Sequence, residues 1–454
     1  MTQPIDVAHG VSDNRPGYPG SVVRTSCDRE QPAIERTKIE PSDIERSDWV
    51  RHLGSDCDAT IRQFDAFCVG VLRPAYHQTQ APPIAQRDDW VIYRTVNSVY
   101  ASEVSARAGV GAAVTVHGYE LQLLPAMLRS LRPDLHVEFR LDIPFPGPRA
   151  FEKLPWRTEI IESLLAADVV RVQHPGDESA IRSALLSSGV SARDQPAISI
   201  APTFLDMTAW ERLASATATR LEAREVRRRL GAPTTVLLGL GEVDDACGTN
   251  MRLQAFEELL RSGRVRGEQV KMIEIVRPAR RTSDFSRSQR HRIDATVGRI
   301  NGDFGRLGSA VVHYQQRDLD PAQRCALYLV ADALVATPMH HGLNAPALEF
   351  VACRLDGAGA LVLSEFSPCV PMLSSATLVN PFDPEALASA VHQTIQMDVA
   401  EQGRRMRSLR RGLQFGITPS SIGEHRPARG SRPAGRGGTD HSVSPLCALS
   451  SLVP

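Results

Sequence analysis

The chain has 454 residues, 42% of them apolar, which is enough for two ordinary α/β domains with real cores. Lys plus Arg and Asp plus Glu balance at 52 each, which argues against nucleic acid or another polyanion as partner. No run approaches the roughly 18 apolar residues of a membrane span and no apolar leader opens the chain, so a soluble, cytoplasmic protein with no membrane partner is expected.

Residues 1–48 are rich in Asp, Arg, Pro, Ser and Gly, lack an apolar period, and read as disordered or loosely attached. From Trp49 to Ala232 strand-like runs alternate with amphipathic helices. Strands are predicted at Ala112 to His117, His136 to Ile143, Asp168 to Gln173 and Ala197 to Pro202, with helical spacing over Leu121 to Leu131 and Ile160 to Ala167. A charged helix, Ala209 to Leu230, leads into a second series. Its strands are predicted at Thr235 to Leu240, Gln269 to Val276, Ala310 to Tyr314, Ala333 to Ala336 and Ala360 to Leu363, with helices at Met251 to Arg261 and Pro346 to Cys353. This alternation predicts two doubly wound, Rossmann-like parallel sheets, residues 49–232 and 233–413, facing a cleft beyond their strand ends. Residues 414–454 are Pro-, Gly-, Ser- and Arg-rich and read as a disordered tail.

The eight cysteines (Cys27, Cys57, Cys68, Cys247, Cys325, Cys353, Cys369 and Cys447) never form a C-x-x-C pair. Several sit in apolar runs, so buried free thiols are expected. No G-x-S-x-G, H-E-x-x-H or G-x-x-x-x-G-K-[ST] motif occurs. His340-His341 has no carboxylate or thiol at metal-ligand spacing and reads as an exposed loop pair. Arg404, Arg405, Arg407, Arg410 and Arg411 read as a solvated helix face.

One stretch is far more specific. It runs Ile300-Asn301-Gly302-Asp303-Phe304-Gly305, Ala326-Leu327-Tyr328, Ala331-Asp332, His341-Gly342-Leu343-Asn344, Glu349-Phe350-Val351-Ala352, Leu361-Val362-Leu363-Ser364-Glu365-Phe366 and Asn380-Pro381-Phe382-Asp383. In order and spacing these motifs resemble the nucleotide-binding half of the trehalose-6-phosphate synthases, and the resemblance extends over roughly residues 65–400. It implies the GT-B fold and a retaining, metal-independent glycosyltransferase that needs no cofactor and takes a nucleotide sugar and a sugar phosphate. Without a metal, cationic side chains and helix N-termini must neutralise the departing diphosphate.

The resemblance also assigns positions. Gly342, Leu343 and Asn344, before a helix with Pro346 in its first turn, fall at the nucleotide, and Glu349 falls at the ribose. Taken alone, Asn344 reads as a helix cap and Glu349 as a solvated helix residue. The family's clamping Arg and Lys correspond here to Glu242 and Cys247. Its donor-sugar His corresponds to Asp142, in Asp142-Ile143-Pro144-Phe145-Pro146, and its acceptor-side Asp to Gly118, in His117-Gly118-Tyr119-Glu120. On the acceptor side Arg73 replaces a stacking Trp, Tyr119 is kept, and Arg280 matches an arginine near the acceptor phosphate. Arg280 read alone is a surface residue of a basic loop. His341 replaces a family Asp. Asn14-Arg15-Pro16 with Gly17 and Gly20 echoes a substrate-closing loop, but no apolar strand precedes it, and the family's closing helix fails after Leu413.

Two functions follow. In the first, the substitutions at Glu242, Cys247, Asp142 and Gly118 leave a degenerate relative, weak or inactive, that serves as a nucleotide- or subunit-binding protein within a homo- or hetero-oligomer. In the alternative, an active glycosyltransferase moves glucose from UDP- or GDP-glucose to a sugar phosphate such as glucose-6-phosphate.

Overall fold

A computed structural model of the chain describes residues 5–8, 46–78, 86–201, 205–243, 246–278, 284–339 and 342–416. All of them lie within one compact unit, Met1–Ser421. The first sheet comprises β1 (Ile5–Ala8), β2 (Ala113–His117), β3 (His136–Arg140), β4 (Val169–Val172) and β5 (Ala197–Ile200), in that spatial order and all parallel. The second comprises β6 (Thr235–Glu242), β7 (Val270–Arg277), β8 (Val312–Gln316), β9 (Ala333–Ala336), β10 (Ala360–Ser364) and β11 (Thr377–Val379), ordered β11-β10-β9-β6-β7-β8 and again parallel.

Period-two side-chain alternation explains the second sheet's two cores. Val236 and Leu238 of β6 enter one apolar cluster, with Ile273, Ile275, Leu334 and Leu363. Leu237 enters the opposite one, with Met272, Val335 and Val362. Helices Thr249–Arg261, Pro321–Val330 and Ala345–Cys353 supply the covering layers. In the first sheet Val114, Val116, Val137, Phe139, Val170 and Val172 point into a single cluster. Helices Cys57–Phe67 and Arg87–Arg107 add Phe64, Phe67, Trp90 and Tyr93 to it, and Trp90 stacks on Trp156 at 4.6 Å.

The chain enters the second sheet at β6, runs outward to β8, then returns to β9 on the other side of β6. That reversal is the topological switch point at which doubly wound sheets bind ligands.

Three expectations need correction. Ile5–Ala8 is a strand, pairing in parallel with β2 at the sheet edge, although the surrounding polar composition hid it; Asn14, Arg15, Pro16, Gly17 and Gly20 lie outside the described residues. The predicted helix Ala209 to Leu230 is two helices, Met207–Ser215 and Thr217–Arg229, because Ala216 turns to an extended ψ of 132°. The basic cluster is not wholly solvated. In the helix Val399–Gly416, Arg404 and Arg405 pair with Glu401, but Arg410 donates to the carbonyls of Val351 and Ala352 at 3.0 and 2.7 Å and to Glu211 at 2.6 Å. No helix among the described residues is long and apolar enough to cross a membrane.

Candidate functional site

The carboxyl edges of the two sheets meet. Gly342, which follows β9, packs so tightly on the Asp142 carbonyl after β3 that an added Cβ would sit 2.5 Å from it, so only glycine permits this approach. Around that contact the chain ends of β2, β3 and β4 present His117, Asp142 and Gln173, and those of β6 and β7 present Glu242 and Arg277.

Asp142 is tied by three side chains while 44% of its own stays exposed. Arg140 Nε and Gln173 Nε2 donate to Oδ1 at 2.9 and 2.5 Å, and His117 Nδ1 lies 3.6 Å from Oδ2. Burial acts to raise its pKa, but His117 and Arg140 outweigh burial and hold the carboxyl down at about 2. At neutral pH this group therefore accepts hydrogen bonds and donates none. Gly118 adopts φ 88° and ψ 156°, and a Cβ there would fall 2.5 Å from Glu120 Oε2. Gly118→Asp is accordingly expected to destabilise the protein by about 1–3 kcal/mol, read as a lower urea midpoint; an unchanged midpoint would show that the loop relaxes freely. Tyr119 is buried beneath this loop, its ring 5.7 Å from Tyr76 and its carbonyl accepting from Tyr93 Oη at 2.7 Å. Burial first, then the Glu120 carboxylate, push its hydroxyl well above the ordinary pKa.

Glu242 is half-buried between two guanidinium groups. Arg73 Nη2, from the helix Arg73–His77, donates to Oε2 at 2.8 Å, and Arg277 Nη2 contacts Oε1. Parallel pairing places Glu242 directly opposite Arg277. The cleft therefore holds two guanidinium groups beside the Glu242 carboxylate. Cys247 is half-buried in the turn before the helix Thr249–Arg261, where Gly248 at φ 68° presses on the Thr337 carbonyl.

This turn is anchored from below by Arg252. Its guanidinium donates to Glu274 through Nε (3.2 Å) and through Nη2, to the Cys247 carbonyl at 2.6 Å, to Thr337 Oγ1 at 2.9 Å and to Thr249 Oγ1 at 3.1 Å. Both partners are essentially dry, with side-chain exposures of 1% and 0%. Gly239 and Gly241 leave room for these side chains, so β6 continues past the predicted end at Leu240 to Glu242.

Asn344 is the N-cap of the helix Ala345–Cys353, its Oδ1 accepting from Ala347 N at 3.1 Å, and Leu343 packs against the apolar cluster behind it. Glu349 is buried, not solvated. Arg324 donates to it at 3.1 and 3.3 Å and Tyr328 Oη at 2.7 Å, while Arg324 lies 5.2 Å over the Trp210 ring. Arg280, His340 and His341 lie outside the described residues. Of the cysteines, Cys57, Cys68, Cys325, Cys353 and Cys369 are buried free thiols. No group of three or more His, Cys, Asp or Glu among the described residues is placed to hold a metal ion.

Known proteins of one family resemble this chain. The model of glycosyltransferase family 20 matches residues 14–414. The trehalose-6-phosphate synthase of Mycobacterium avium (strain 104) is 37% identical over 413 residues, covering 87% of this chain and 82% of that protein. That of Mycobacterium tuberculosis (strain ATCC 25618 / H37Rv) is 38% identical over 368 residues, covering 77% and 73%. The chain belongs to glycosyltransferase family 20. Among solved structures of similar fold, the UDP-forming α,α-trehalose-phosphate synthase of Burkholderia vietnamiensis superposes with a TM-score of 0.74 at 25% identity, covering 78% of this chain and 83% of that one. The N-terminal domain of Candida albicans trehalose-6-phosphate phosphatase reaches 0.79 at 22% identity, covering 91% and 94%; at that identity it shows the GT-B fold alone.

Within the family 20 frame, positions that sequence comparison treats one by one become partners. Arg73 and Glu242, which the resemblance assigns to separate substrates, form an ion pair 169 residues apart in sequence. Arg277 and Glu274 carried no motif and were missed; counting strand register from β6 would have placed Arg277 beside Glu242. Arg252 lies within the predicted helix Met251 to Arg261, where nothing local reveals its buried partner Glu274.

Proposed function

We propose that the chain is a glycosyltransferase moving a glucosyl group from UDP- or GDP-glucose to a sugar phosphate such as glucose-6-phosphate, with no metal. The reading is carried by family membership, with relatives named trehalose-6-phosphate synthases at 37–38% identity, together with the cleft at the switch point. In this reading the donor diphosphate lies near the first-turn amides of the helix Ala345–Cys353, where the helix dipole favours negative charge. Arg73 and Arg277 supply positive charge nearby, and the acceptor enters from the side of Arg73 and the His117 to Glu120 loop.

A second reading is favoured by one observation: the carboxylates of Glu242 and Asp142 stand in the cleft, and both engage its cations. Here the site binds nucleotides or a subunit partner with little or no transfer. Purified protein incubated with UDP-glucose or GDP-glucose and glucose-6-phosphate separates the two. Sugar-phosphate-dependent release of nucleoside diphosphate is the expected result. Binding by calorimetry without release moves the assignment to the second reading, and neither binding nor release overturns both transfer and nucleotide binding.

A further inference from the structure

We propose that Arg73 and Arg277 form an anion site for a phosphate or diphosphate group, and that Glu242 occupies it as a built-in competitor. This deepens the cleft reading by naming what the two arginines bind, but it depends on anion binding and not on transfer. Each oxygen of the Glu242 carboxylate is taken by a different guanidinium, Oε2 by Arg73 at 2.8 Å and Oε1 by Arg277. Two guanidinium groups, each reaching one oxygen through its Nη2, converge on a single anionic group, and guanidinium is the side chain best suited to holding phosphate. The three side chains are reachable from solvent, with exposures of 27% for Arg73, 24% for Glu242 and 45% for Arg277. Part-exposed ion pairs of this kind contribute little net stability, so the internal carboxylate is exchangeable. A phosphate carries more charge than a carboxylate, which favours the exchange at low ionic strength.

The arrangement also joins the two sheets. Arg73 comes from a helix packed on the first, whereas Glu242 and Arg277 end neighbouring strands of the second. An anion displacing Glu242 is gripped by both, so its binding keeps the cleft edges together while removing the pairing within the protein.

The test is binding of inorganic pyrophosphate, orthophosphate and glucose-6-phosphate to the intact chain, measured by calorimetry at low and at moderate salt. Glu242→Gln is expected to tighten pyrophosphate binding at least tenfold at low salt, with the gain shrinking as salt rises. Adding Arg277→Ala to Glu242→Gln is expected to abolish the gain. Preference for pyrophosphate assigns the site to the nucleotide diphosphate, and preference for glucose-6-phosphate assigns it to the acceptor; either supports an anion site. Glu242→Ala serves as a second release variant, with circular dichroism confirming the fold of each protein. Affinity unchanged within twofold in both release variants overturns the proposal, as does a gain that survives Arg277→Ala. Neither failure bears on nucleotide-sugar turnover by the unaltered protein, which is measured separately.

Discussion

Arg252→Met is expected to lower the free energy of unfolding by about 3–5 kcal/mol, because removing one member of a dry ion pair leaves the other charge buried without compensation. The pair is enclosed between β6, β7 and the helix Thr249–Arg261, and the Glu274 carboxylate has no exposed surface. Urea denaturation followed by circular dichroism reads the effect. Arg252→Met combined with Glu274→Leu is expected to recover most of the loss, since apolar replacement of a whole buried pair is often near neutral. It is not expected to recover ligand binding. Arg252 also ties the Cys247 carbonyl and Thr337 Oγ1, so the turn beside the cleft loses two anchors that leucine and methionine cannot restore. A double variant that regains both stability and nucleotide affinity would show the guanidinium to be a space-filling element and nothing more.

Replacing Arg73, Glu242 and Cys247 together, as Arg73→Trp with Glu242→Arg and Cys247→Lys, is expected to tighten UDP binding at least tenfold, equivalent to about 1.4 kcal/mol. Two unit charges 4 Å apart interact by roughly 4 kcal/mol at an effective dielectric of 20, and the exposed rim of this cleft delivers a fraction of that. Glu242→Arg alone is expected to behave differently. It would set a third guanidinium against Arg73 and Arg277, which now share one carboxylate, and the protein should lose stability before it gains affinity. Calorimetric titration of the single, double and triple variants with UDP decides the matter. Glu242→Arg with Cys247→Lys in an otherwise unaltered chain, binding no more tightly than the parent, would remove position 242 from the diphosphate's surroundings.

The contrast between those variants shows where reading the chain as a string succeeds. Parallel α/β architecture follows from apolar strand cores such as Val236-Leu237-Leu238 and Ala333-Leu334-Val335-Ala336, whose residues alternate between two packed faces. The motifs from Ile300 to Asp383 carry the family, because short runs keep their order and local spacing whatever distant contacts the fold adds. Asn344 as a helix cap was equally legible, since a cap acts on amides three residues away.

Other features depended on contacts that sequence distance conceals. Glu349 looks like a solvated helix residue until the neighbouring helix brings Arg324 and Tyr328 against it. Glu242 looks like an anion facing an unneutralised cleft until strand register delivers Arg277 and a helix of the other sheet delivers Arg73. Local composition thus determined the fold and kinship of this protein, because helix and strand periods and short motifs act over a few residues. The charge state of its cleft was decided by the tertiary structure alone, because electrostatic energy follows separation in space, and residues 73, 242 and 277 become neighbours only when both sheets are assembled.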